Sequence, residues 1–340
     1  MRILVDIVHP ADVLFFRHPI AMLQEAGHEV FVLSRQKDVT GALLDGFEIP
    51  HRSGSSAARG LFGLGLELLI RDVAMIRAAR RFKPDVITGF GGVAAAHAGR
   101  ALSIPSVVFY DSDNARLQTR ITWPFVSRLY VPEGYIGSVP EGRTERIPGT
   151  KELSYFHPSR FRFEPDRAAG AGLVSDRPNV LLRLVANNAS HDIGNRGWDL
   201  SAIEETIGGF GDRTKFHVSM EGEAPPGLTS ALYSGTVTEI HQLMAGCRVV
   251  AGDSASMAAE AAIMGVPAVY AGPDIPGYMQ ELADNGLITI VPPGDVSALA
   301  AAIRTGLSRP EEEARARRDA YMHEKPDWSR VIVSALTEIR

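Results

Sequence analysis

The sequence has few of the features that mark secreted, membrane-spanning or nucleic-acid-binding proteins. Cys247 is the single cysteine in 340 residues, so no disulfide can form within the chain, and its apolar surroundings predict a buried thiol in a reducing compartment. No apolar run approaches the roughly twenty residues that a membrane-spanning helix needs. Met1 and Arg2 lead directly into an apolar segment, without the pattern of a signal peptide. These absences predict a soluble, cytoplasmic protein.

An excess of positive charge is also lacking. The net charge is −5, and lysine is rare among basic residues that are mostly arginine. This balance gives the protein no overall electrostatic attraction for nucleic acid, so we expect no nucleic-acid partner. With 45% hydrophobic and 22% charged residues, the chain is long and apolar enough for two cores. The sequence gives no indication of an oligomeric state.

Short apolar segments alternate with amphipathic ones along the chain, which is the pattern of an α/β fold with parallel sheets. One series of such segments precedes a stretch rich in Pro, Arg and aromatic residues at 148–166, and a second series follows it. We interpret that stretch as the crossover between two domains, of residues 1–160 and 161–310. A charged and then amphipathic tail, residues 311–340, predicts two further helices broken at Pro326.

The most informative stretch runs from Val249 to Tyr270. A short apolar run predicts a buried strand, a small polar turn follows, and an Ala-rich segment predicts a helix that ends at Gly265. A turn between a strand and a helix directs free backbone N–H groups and the positive end of the helix dipole at one place. The stretch therefore predicts a site for an anion such as a diphosphate, with a purely structural turn as the alternative. Glu260 lies one helical turn after Ser256, where a carboxylate can accept hydrogen bonds from ribose hydroxyls.

Residues 61–82 predict a long helix, after a short strand at 47–49 and a Ser/Gly-rich loop at 51–59. Leucine, isoleucine and phenylalanine crowd the start of this helix on nearly every face, which indicates either burial or a surface that meets lipid. Arginines flank and interrupt the run, as would suit an anionic membrane surface. We favour a core helix, because α/β domains routinely bury such helices.

Polar or glycine-rich residues follow two strand candidates of the first series. Gly91 and Gly92 come after one strand, where they permit close approach of a ligand to the backbone or simply form a tight turn. Asp111, Asp113 and Asn114 come after the next strand. Because open α/β sheets bind ligands at the carboxyl ends of their strands, we expect these residues to line a cleft.

Several motifs of the chain resemble those of the DUF354 family. The resemblance runs from about residue 3 to residue 291, and its N-terminal and crossover motifs are fairly specific. The motifs are Asp-x-x-His-Pro from Asp6 with Phe-Phe-Arg from Phe15, Gly-His-Glu-Val from Gly27, Pro-Ser-Val-Val-Phe from Pro105 with Asp-x-Asp-Asn from Asp111, Pro-Gly-Thr-Lys-Glu from Pro148 with Tyr-x-His-Pro from Tyr155, and Glu-Ala-x-x-x-Gly-x-Pro from Glu260.

The last of these motifs is shared with a wider group, the GT-B superfamily of MurG-like glycosyltransferases and non-hydrolysing UDP-N-acetylglucosamine 2-epimerases. What the resemblance implies is a GT-B fold, with two Rossmann-like doubly wound domains that face each other across a cleft. It also implies a sugar nucleotide that is held mainly by the C-terminal domain. In such proteins the last helix often crosses back to the first domain, which residues 311–340 would do here.

The resemblance assigns roles to individual residues of the second domain. Glu260 would hold the ribose, and Arg183, at the end of a strand, would supply positive charge unless it forms only a strand-end salt bridge. Backbone amides of three residues would bind the diphosphate, namely those of Ser254, Ala255 and Ser256. Asp253 departs from the family pattern, in which two glycines usually precede the helix. Its carboxylate would repel a diphosphate unless it points away or is neutralised.

Catalysis would draw on the first domain. His9 is the predicted base, since imidazole titrates near neutral pH, with a hydrogen bond inside the His-Pro turn as the alternative role. Asp111, Asp113 and Asn114 are predicted to bind sugar hydroxyls or to act as the base. Asp-Ser-Asp also resembles a metal-binding motif, but that motif belongs to the other glycosyltransferase fold. Since two carboxylates alone bind a divalent ion weakly, we expect no metal and no cofactor.

Other polar residues are weaker candidates. His191 and Asp192 would approach the phosphates, although a solvated loop is the simpler interpretation. Lys151 and Glu152 would only fix the crossover between the domains.

The sequence thus predicts a metal-independent GT-B glycosyltransferase that uses a nucleotide-activated sugar. A sugar-nucleotide 2-epimerase and a non-catalytic sugar-nucleotide binding protein are the alternatives. The nucleotide-sugar donor is the one predicted partner. The acceptor stays open, with a lipid-linked molecule or one at a membrane surface among the options, so the predicted location is the cytoplasm, including the inner membrane face.

Overall fold

The computed structural model describes residues 1–37, 39–56, 60–185 and 198–339. The chain divides into two compact units. Unit 1 is formed by Met1–Arg160 together with Pro276–Tyr278 and Pro326–Arg340, and unit 2 by Phe161–Ile275 and Met279–Lys325. Each unit is built around one parallel sheet with its own core.

The sheet of unit 1 has seven parallel strands in the order β3-β2-β1-β4-β5-β6-β7. The strands are β1 (Arg2–Ile7), β2 (Glu29–Gln36), β3 (His51–Ser56), β4 (Val86–Phe90), β5 (Ser106–Phe109), β6 (Arg128–Pro132) and β7 (Thr144–Ile147). The helices around it are α1 (Pro10–Glu25), α2 (Thr40–Gly46), α3 (Gly60–Phe82), α4 (Val93–Leu102), α5 (Arg116–Thr122) and, from the tail, α13 (Trp328–Thr337), with a 3-10 turn at Lys151–Ser154. This strand order is that of a doubly wound dinucleotide-type domain.

Helices cover both faces of this sheet. On one face Leu4 of β1 and Ile87 of β4 pack against Met75 of α3 and Ala95 of α4. On the other, the ring of Phe15 in α1 lies among other aromatic rings, including those of Phe109 and Trp328. Strands that are buried on both faces need apolar side chains throughout, which explains why they read as continuous apolar runs in the sequence.

The sheet of unit 2 has five parallel strands in the order β12-β11-β10-β8-β9. They are β8 (Asn179–Leu184), β9 (Lys215–Met220), β10 (Val249–Gly252), β11 (Ala268–Tyr270) and β12 (Ile288–Ile290). The helices of the second half of the chain are α6 (Pro165–Gly170), α7 (Leu200–Phe210), α8 (Ile240–Ala245), α9 (Ala255–Met264), α10 (Gly277–Asp284), α11 (Val296–Ser308) and α12 (Glu311–Met322), with 3-10 turns at Gly211–Arg213 and Pro226–Ala231. The first two residues of α10 group with unit 1.

In each sheet the order of the strands reverses once, so that the later strands of the sequence lie on the opposite side of the first strand. In unit 1 the reversal lies between β1 and β4, and in unit 2 between β8 and β10. In open parallel sheets the crevice outside the carboxyl ends of two such strands is the usual place for a ligand.

The structure corrects one predicted strand and adds one helix. Residues 47–49 are not a strand; the third strand is His51–Ser56, inside the segment that we predicted to be a loop. Its polar residues pair with β2 through the backbone, as Ser53 does with Ser34. Helix α5 lies in a segment for which no helix was predicted.

The tail forms two helices, one on each side of Pro326. Helix α12 packs against α9 in unit 2, and only α13 joins unit 1. Cys247 is buried, as predicted, and burial raises the pKa of its thiol. Within the described parts of the chain, no helix is both long and apolar enough to cross a bilayer.

Candidate functional site

The turn between β10 and α9, residues 252–256, lies at the point where the strand order of unit 2 diverges. Gly252 ends β10 with φ of 142°, and a side chain there would collide with the backbone carbonyl of Arg183 on the neighbouring strand. Only glycine allows β10 to pass this close to β8 and then turn into the helix. The sequence therefore places the turn directly above the carboxyl ends of both strands.

Ser254 is the N-cap of α9. Its hydroxyl accepts a hydrogen bond from the Met257 amide at 3.4 Å. Ala255 and Ser256 follow in the first turn of the helix, where amides have no acceptor within the helix itself. The three predicted diphosphate-binding residues are thus together at the positive end of a ten-residue helix.

Asp253 is turned towards β8. Its Oδ1 accepts a hydrogen bond from the backbone amide of Val185 at 2.8 Å. Burial raises the pKa of Asp253, and the bond from Val185 works in the opposite direction. The carboxylate that departs from the family pattern is therefore used to join the ends of β8 and β10, which removes part of the objection to an anion at the turn.

Glu260 lies on α9 one turn beyond Ser256 and is buried, with 3% of its surface exposed. Its Oε2 is 3.3 Å from Nε2 of His241, a buried residue of α8. No signal in the sequence linked these two residues. The contact fixes the direction of the Glu260 side chain from a second helix.

Arg183 has the strand-end salt bridge that we gave as its alternative role. Its guanidinium is paired with Glu221 and donates to Ser219 Oγ at 3.1 Å. Its predicted role as a countercharge to a diphosphate stays a prediction. His191 and Asp192 lie outside the described residues.

In unit 1, His9 follows β1 and caps α1. Its Nδ1 accepts a hydrogen bond from the Ala11 amide at 3.2 Å, while Asp12 Oδ2 accepts from the amides of Val8 and His9 at 2.8 and 2.9 Å. An acceptor nitrogen carries no proton, so the neutral ring of His9 bears its proton on Nε2. The structure gives His9 the capping role that we named as its alternative.

Asp111 is buried at the end of β5 and is paired with the buried ammonium of Lys151. Glu152 Oε1 lies 3.4 Å from the same ammonium, and the rings of Phe90 and Tyr278 lie within 6 Å of it, at 5.6 and 5.3 Å. Burial lowers the pKa of Lys151, but the two carboxylates outweigh it and hold the pKa well above its usual value. Lys151 and Glu152 therefore form a charged cluster with a predicted catalytic residue, which sequence reasoning had treated as part of the crossover.

Both carboxylate oxygens of Asp113 accept hydrogen bonds from backbone amides. Its Oδ1 accepts hydrogen bonds from the amides of Ile136 and Gly137 at 2.8 and 3.0 Å, and its Oδ2 accepts from the amide of Gly277 at 2.7 Å. Three such bonds use most of the acceptor capacity of a carboxylate. Asn114, by contrast, is exposed next to it.

Gly91 and Gly92 form the turn from β4 into α4, with φ of 70° and 34°. A side chain at Gly92 would lie 2.8 Å from Val108 Cγ2, so packing within the unit already requires a small residue there. Gly92 also lines a cavity of about 340 Å³ in unit 1, at the divergence of β1 and β4.

Two arginine–carboxylate pairs line this cavity, and the sequence analysis gave neither pair a role. Arg71 Nη2 contacts both oxygens of Asp6 at 2.7 and 2.8 Å, and Arg35 Nη2 lies 2.7 Å from Glu67 Oε2. Burial raises the pKa of Asp6, and Arg71 opposes that shift. The signal that could have found them is a carboxylate inside an otherwise apolar strand or helix, which requires a cationic partner.

Comparisons with known proteins agree with this architecture. Residues 1–291 match a family described as "Protein of unknown function (DUF354)". The chain belongs to the DUF354 family. This confirms the family that the motifs resemble.

The sequence also resembles a curated protein. It is 32% identical over 103 residues to the UDP-N-acetylglucosamine--N-acetylmuramyl-(pentapeptide) pyrophosphoryl-undecaprenol N-acetylglucosamine transferase of Solidesulfovibrio magneticus. That match covers 26% of this chain and spans only about a quarter, 27%, of the length of that protein.

Solved structures resemble the chain over nearly its whole length. The UDP-GlcNAc 2-epimerase of Neisseria meningitidis, bound to UDP-GlcNAc, is 13% identical with a TM-score of 0.67 and covers 100% of both chains. The spinosyn rhamnosyltransferase SpnG, in complex with thymidine diphosphate, is 13% identical with a TM-score of 0.63 and covers 98% of this chain and 99% of its own. The fold is therefore α/β of the GT-B type, as predicted, with two doubly wound parallel sheets.

Proposed function

We propose that this DUF354 protein is a GT-B glycosyltransferase that uses a nucleotide-activated sugar. The observation that carries the proposal is the turn of residues 252–256 at the divergence of β8 and β10, with Glu260 one helical turn beyond it. The partial similarity to a glycosyltransferase and the full-length likeness to solved enzymes with bound UDP-GlcNAc or thymidine diphosphate support the same class of ligand.

In this proposal the donor is held by unit 2. The amides of Ala255 and Ser256 and the positive end of α9 bind the diphosphate, and Glu260 accepts hydrogen bonds from the ribose hydroxyls. Stabilisation of the departing diphosphate by fixed amide dipoles requires no metal. Arg183 adds positive charge if its guanidinium exchanges Glu221 for a phosphate.

We propose that the reaction is independent of divalent metal. Asp111 is occupied by Lys151, and Asp113 by three backbone amides, so neither carboxylate of the Asp-Ser-Asp sequence is arranged as a metal ligand. Full activity in the presence of EDTA is the expected result. Loss of activity in EDTA that Mg²⁺ or Mn²⁺ restores would contradict this part of the proposal.

The acceptor is proposed to bind unit 1, in the cavity lined by Asp6 and Arg71. Charged hydrogen-bonding pairs beside an aromatic ring such as that of Phe90 are suited to a hydroxylated acceptor. The protein would act in the cytoplasm on a water-soluble or a lipid-linked acceptor.

The first test is calorimetric binding of UDP, GDP, CMP and dTDP and of their common sugar conjugates. Glu260→Ala should weaken the preferred nucleotide by at least about tenfold, or roughly 1.4 kcal/mol. Glu312→Ala, in the exposed first turn of α12, is the matched control and should bind as the wild type does. Absence of binding to every nucleotide would overturn the proposal.

The base can be tested without loss of the helix cap. Asparagine caps helices well but cannot accept a proton, so His9→Asn separates the two roles of His9. Asp111→Asn is the companion variant. If both variants keep full turnover, neither residue is the base.

A sugar-nucleotide 2-epimerase is the second candidate, because a solved epimerase covers the whole chain with a TM-score of 0.67. Incubation of the preferred sugar nucleotide without an acceptor distinguishes the two. An epimer visible by NMR would establish the second candidate, whereas transfer that requires an acceptor would establish the first. Tight nucleotide binding without either reaction would indicate a non-catalytic binding protein.

A further inference from the structure

The outer side of α3 is apolar and exposed over the middle of the helix. Leu66, Leu69, Ile70 and Val73 have 52%, 63%, 50% and 45% of their surfaces exposed. Their spacing of three and four residues places them on one side of the helix. The opposite side carries the buried Met75, so this helix is not the all-round core helix that we favoured from the sequence. Isolated exposed leucines are ordinary, but a continuous stripe of four large apolar residues is not.

The same face becomes cationic further along α3. Arg77 and Arg80 continue the spacing after Val73, and both are exposed. Neither forms an ion pair with any residue that the structure describes. The carboxylates of α3 point elsewhere, since Glu67 is buried against Arg35 and Asp72 contacts His97 at 2.8 Å.

Helix α5 has exposed apolar and basic residues of its own, including Leu117 at 71% exposure and the neighbouring Arg116 and Arg120. Leu117 lines a cavity together with Leu68 of α3. Leu68 lies seven residues before Met75 and therefore on the buried side of α3, so α5 does not extend the exposed stripe. We call the exposed residues on the outer side of α3 the α3 face, namely Leu66, Leu69, Ile70, Val73, Arg77 and Arg80.

We propose that the α3 face docks on an anionic phospholipid surface. Leucine, isoleucine and valine side chains would enter the interfacial region, and the arginines would contact headgroup phosphates, as in helices that lie in the plane of a membrane. A second copy of the chain fits less well. In a dimer through this face the arginines would meet a surface on which no described residue is a carboxylate, so their charges would be buried without a partner.

This inference rests on the proposed function only for its biological purpose, which is to bring the acceptor side of the protein to lipid. Docking itself needs no turnover and is measured separately. The full-length protein is sedimented with vesicles of phosphatidylcholine alone and of phosphatidylcholine mixed with phosphatidylglycerol. We expect binding to the mixed vesicles at least about tenfold tighter than to the neutral ones, and weaker binding as salt is raised.

Two double variants test the two halves of the face. Leu69→Ser with Ile70→Ser should lower the partition coefficient on mixed vesicles at least about tenfold. Arg77→Gln with Arg80→Gln should abolish the preference for phosphatidylglycerol. The matched controls are Leu232→Ser and Arg213→Gln, which replace exposed residues of unit 2 and should bind vesicles as the wild type does.

Three results would overturn the inference. One is a wild-type protein that ignores both kinds of vesicle, and another is a pair of double variants that bind as tightly as the wild type. In the third, the wild type is a dimer in solution, the Leu69→Ser, Ile70→Ser variant is a monomer, and neither protein binds vesicles. That result would identify a second copy of the chain as the occupant of the face. Nucleotide binding is measured on the same samples. If it persists while vesicle binding fails, only the docking inference is lost.

Discussion

Lys151 is a buried cation between two buried carboxylates, Asp111 and Glu152. Each ion is out of water, so each depends on the others for compensation. We expect Lys151→Met to lower the free energy of unfolding by about 3–5 kcal/mol, since it leaves two buried carboxylates without a cation. Urea unfolding measures the change, with Lys83→Met, at an exposed lysine, as the control. A loss below about 1 kcal/mol would mean that the cluster is hydrated or already neutral.

His241 contacts Glu260 from a second helix. The contact predicts an effect on ligand preference, which a purely stabilising role of His241 would not produce. If Glu260 binds ribose hydroxyls, His241→Ala should reduce the preference for UDP over 2′-deoxy-UDP about threefold or more, because the carboxylate loses its fixed direction. A general loss of structure would instead weaken both nucleotides equally. Calorimetric titration of the two ligands into wild type and variant distinguishes these results, and His241→Gln should restore part of the preference.

At this scale the sequence identifies residue types but not their partners. Asp113 has the chemistry of a base, yet one of the amides that occupies it belongs to Gly277, 164 residues away. Contacts over such a separation leave no trace in local spacing. Local contacts are easier to predict. The hydrogen bonds in the turn of His9 could be proposed from the sequence because their partners are its neighbours in the chain.

The helices α3, α4 and α5 are joined by one imidazole. His97 of α4 contacts Asp72 of α3 through Nδ1 and the carbonyl of Ile121 in α5 through Nε2, both at 2.8 Å. The hydrogen bond with Asp72 raises the pKa of His97 above its ordinary value of 6.5, although partial burial works against the shift.

The sign of the resulting pH dependence follows from this. The fold favours the protonated ring, so its stabilising contribution is complete below pH 6.5 and is lost as the pH rises through the raised pKa. We expect the difference in unfolding free energy between wild type and His97→Gln to shrink over that range. Urea unfolding at a series of pH values provides the measurement. A difference that grows with pH would show that the neutral ring is the favoured form.

Elements with continuous apolar runs were predictable, and elements made by pairing alone were not. Strand β10 is buried along its whole length and helix α9 ends just before Gly265, as predicted, because burial demands apolar residues in both. Strand β3 lies at the sheet edge with a polar sequence, His51–Ser56, and forms by backbone hydrogen bonding to β2. Its side chains carry no periodic signal, so its position could not be read from them.

For the whole molecule, the alternation of elements predicts the class of fold, whereas the return of the tail to the first domain was expected only from the resemblance to GT-B proteins. Each unit has its own sheet and core, so we expect calorimetry to resolve two unfolding transitions, or a calorimetric enthalpy above the van't Hoff value. A nucleotide at one hundred times its Kd should stabilise the transition of unit 2 by about 2.7 kcal/mol. The Glu260→Ala variant is the control, since the same nucleotide concentration should shift its transition less. If the nucleotide stabilised only the transition of unit 1, the proposed donor site in unit 2 would be wrong.

The last helix also sets the order in which the protein can be completed during synthesis. Trp328 of α13 is 1% exposed, its ring packs on Phe15 and its indole N–H donates to the carbonyl of Pro148 at 3.0 Å. Phe15 and Pro148 are synthesised well before Trp328. Unit 2 has its full sequence once Lys325 has emerged, while unit 1, although it begins first, waits for the residues that follow. Until then its unfinished core exposes aromatic surface that a chaperone can recognise.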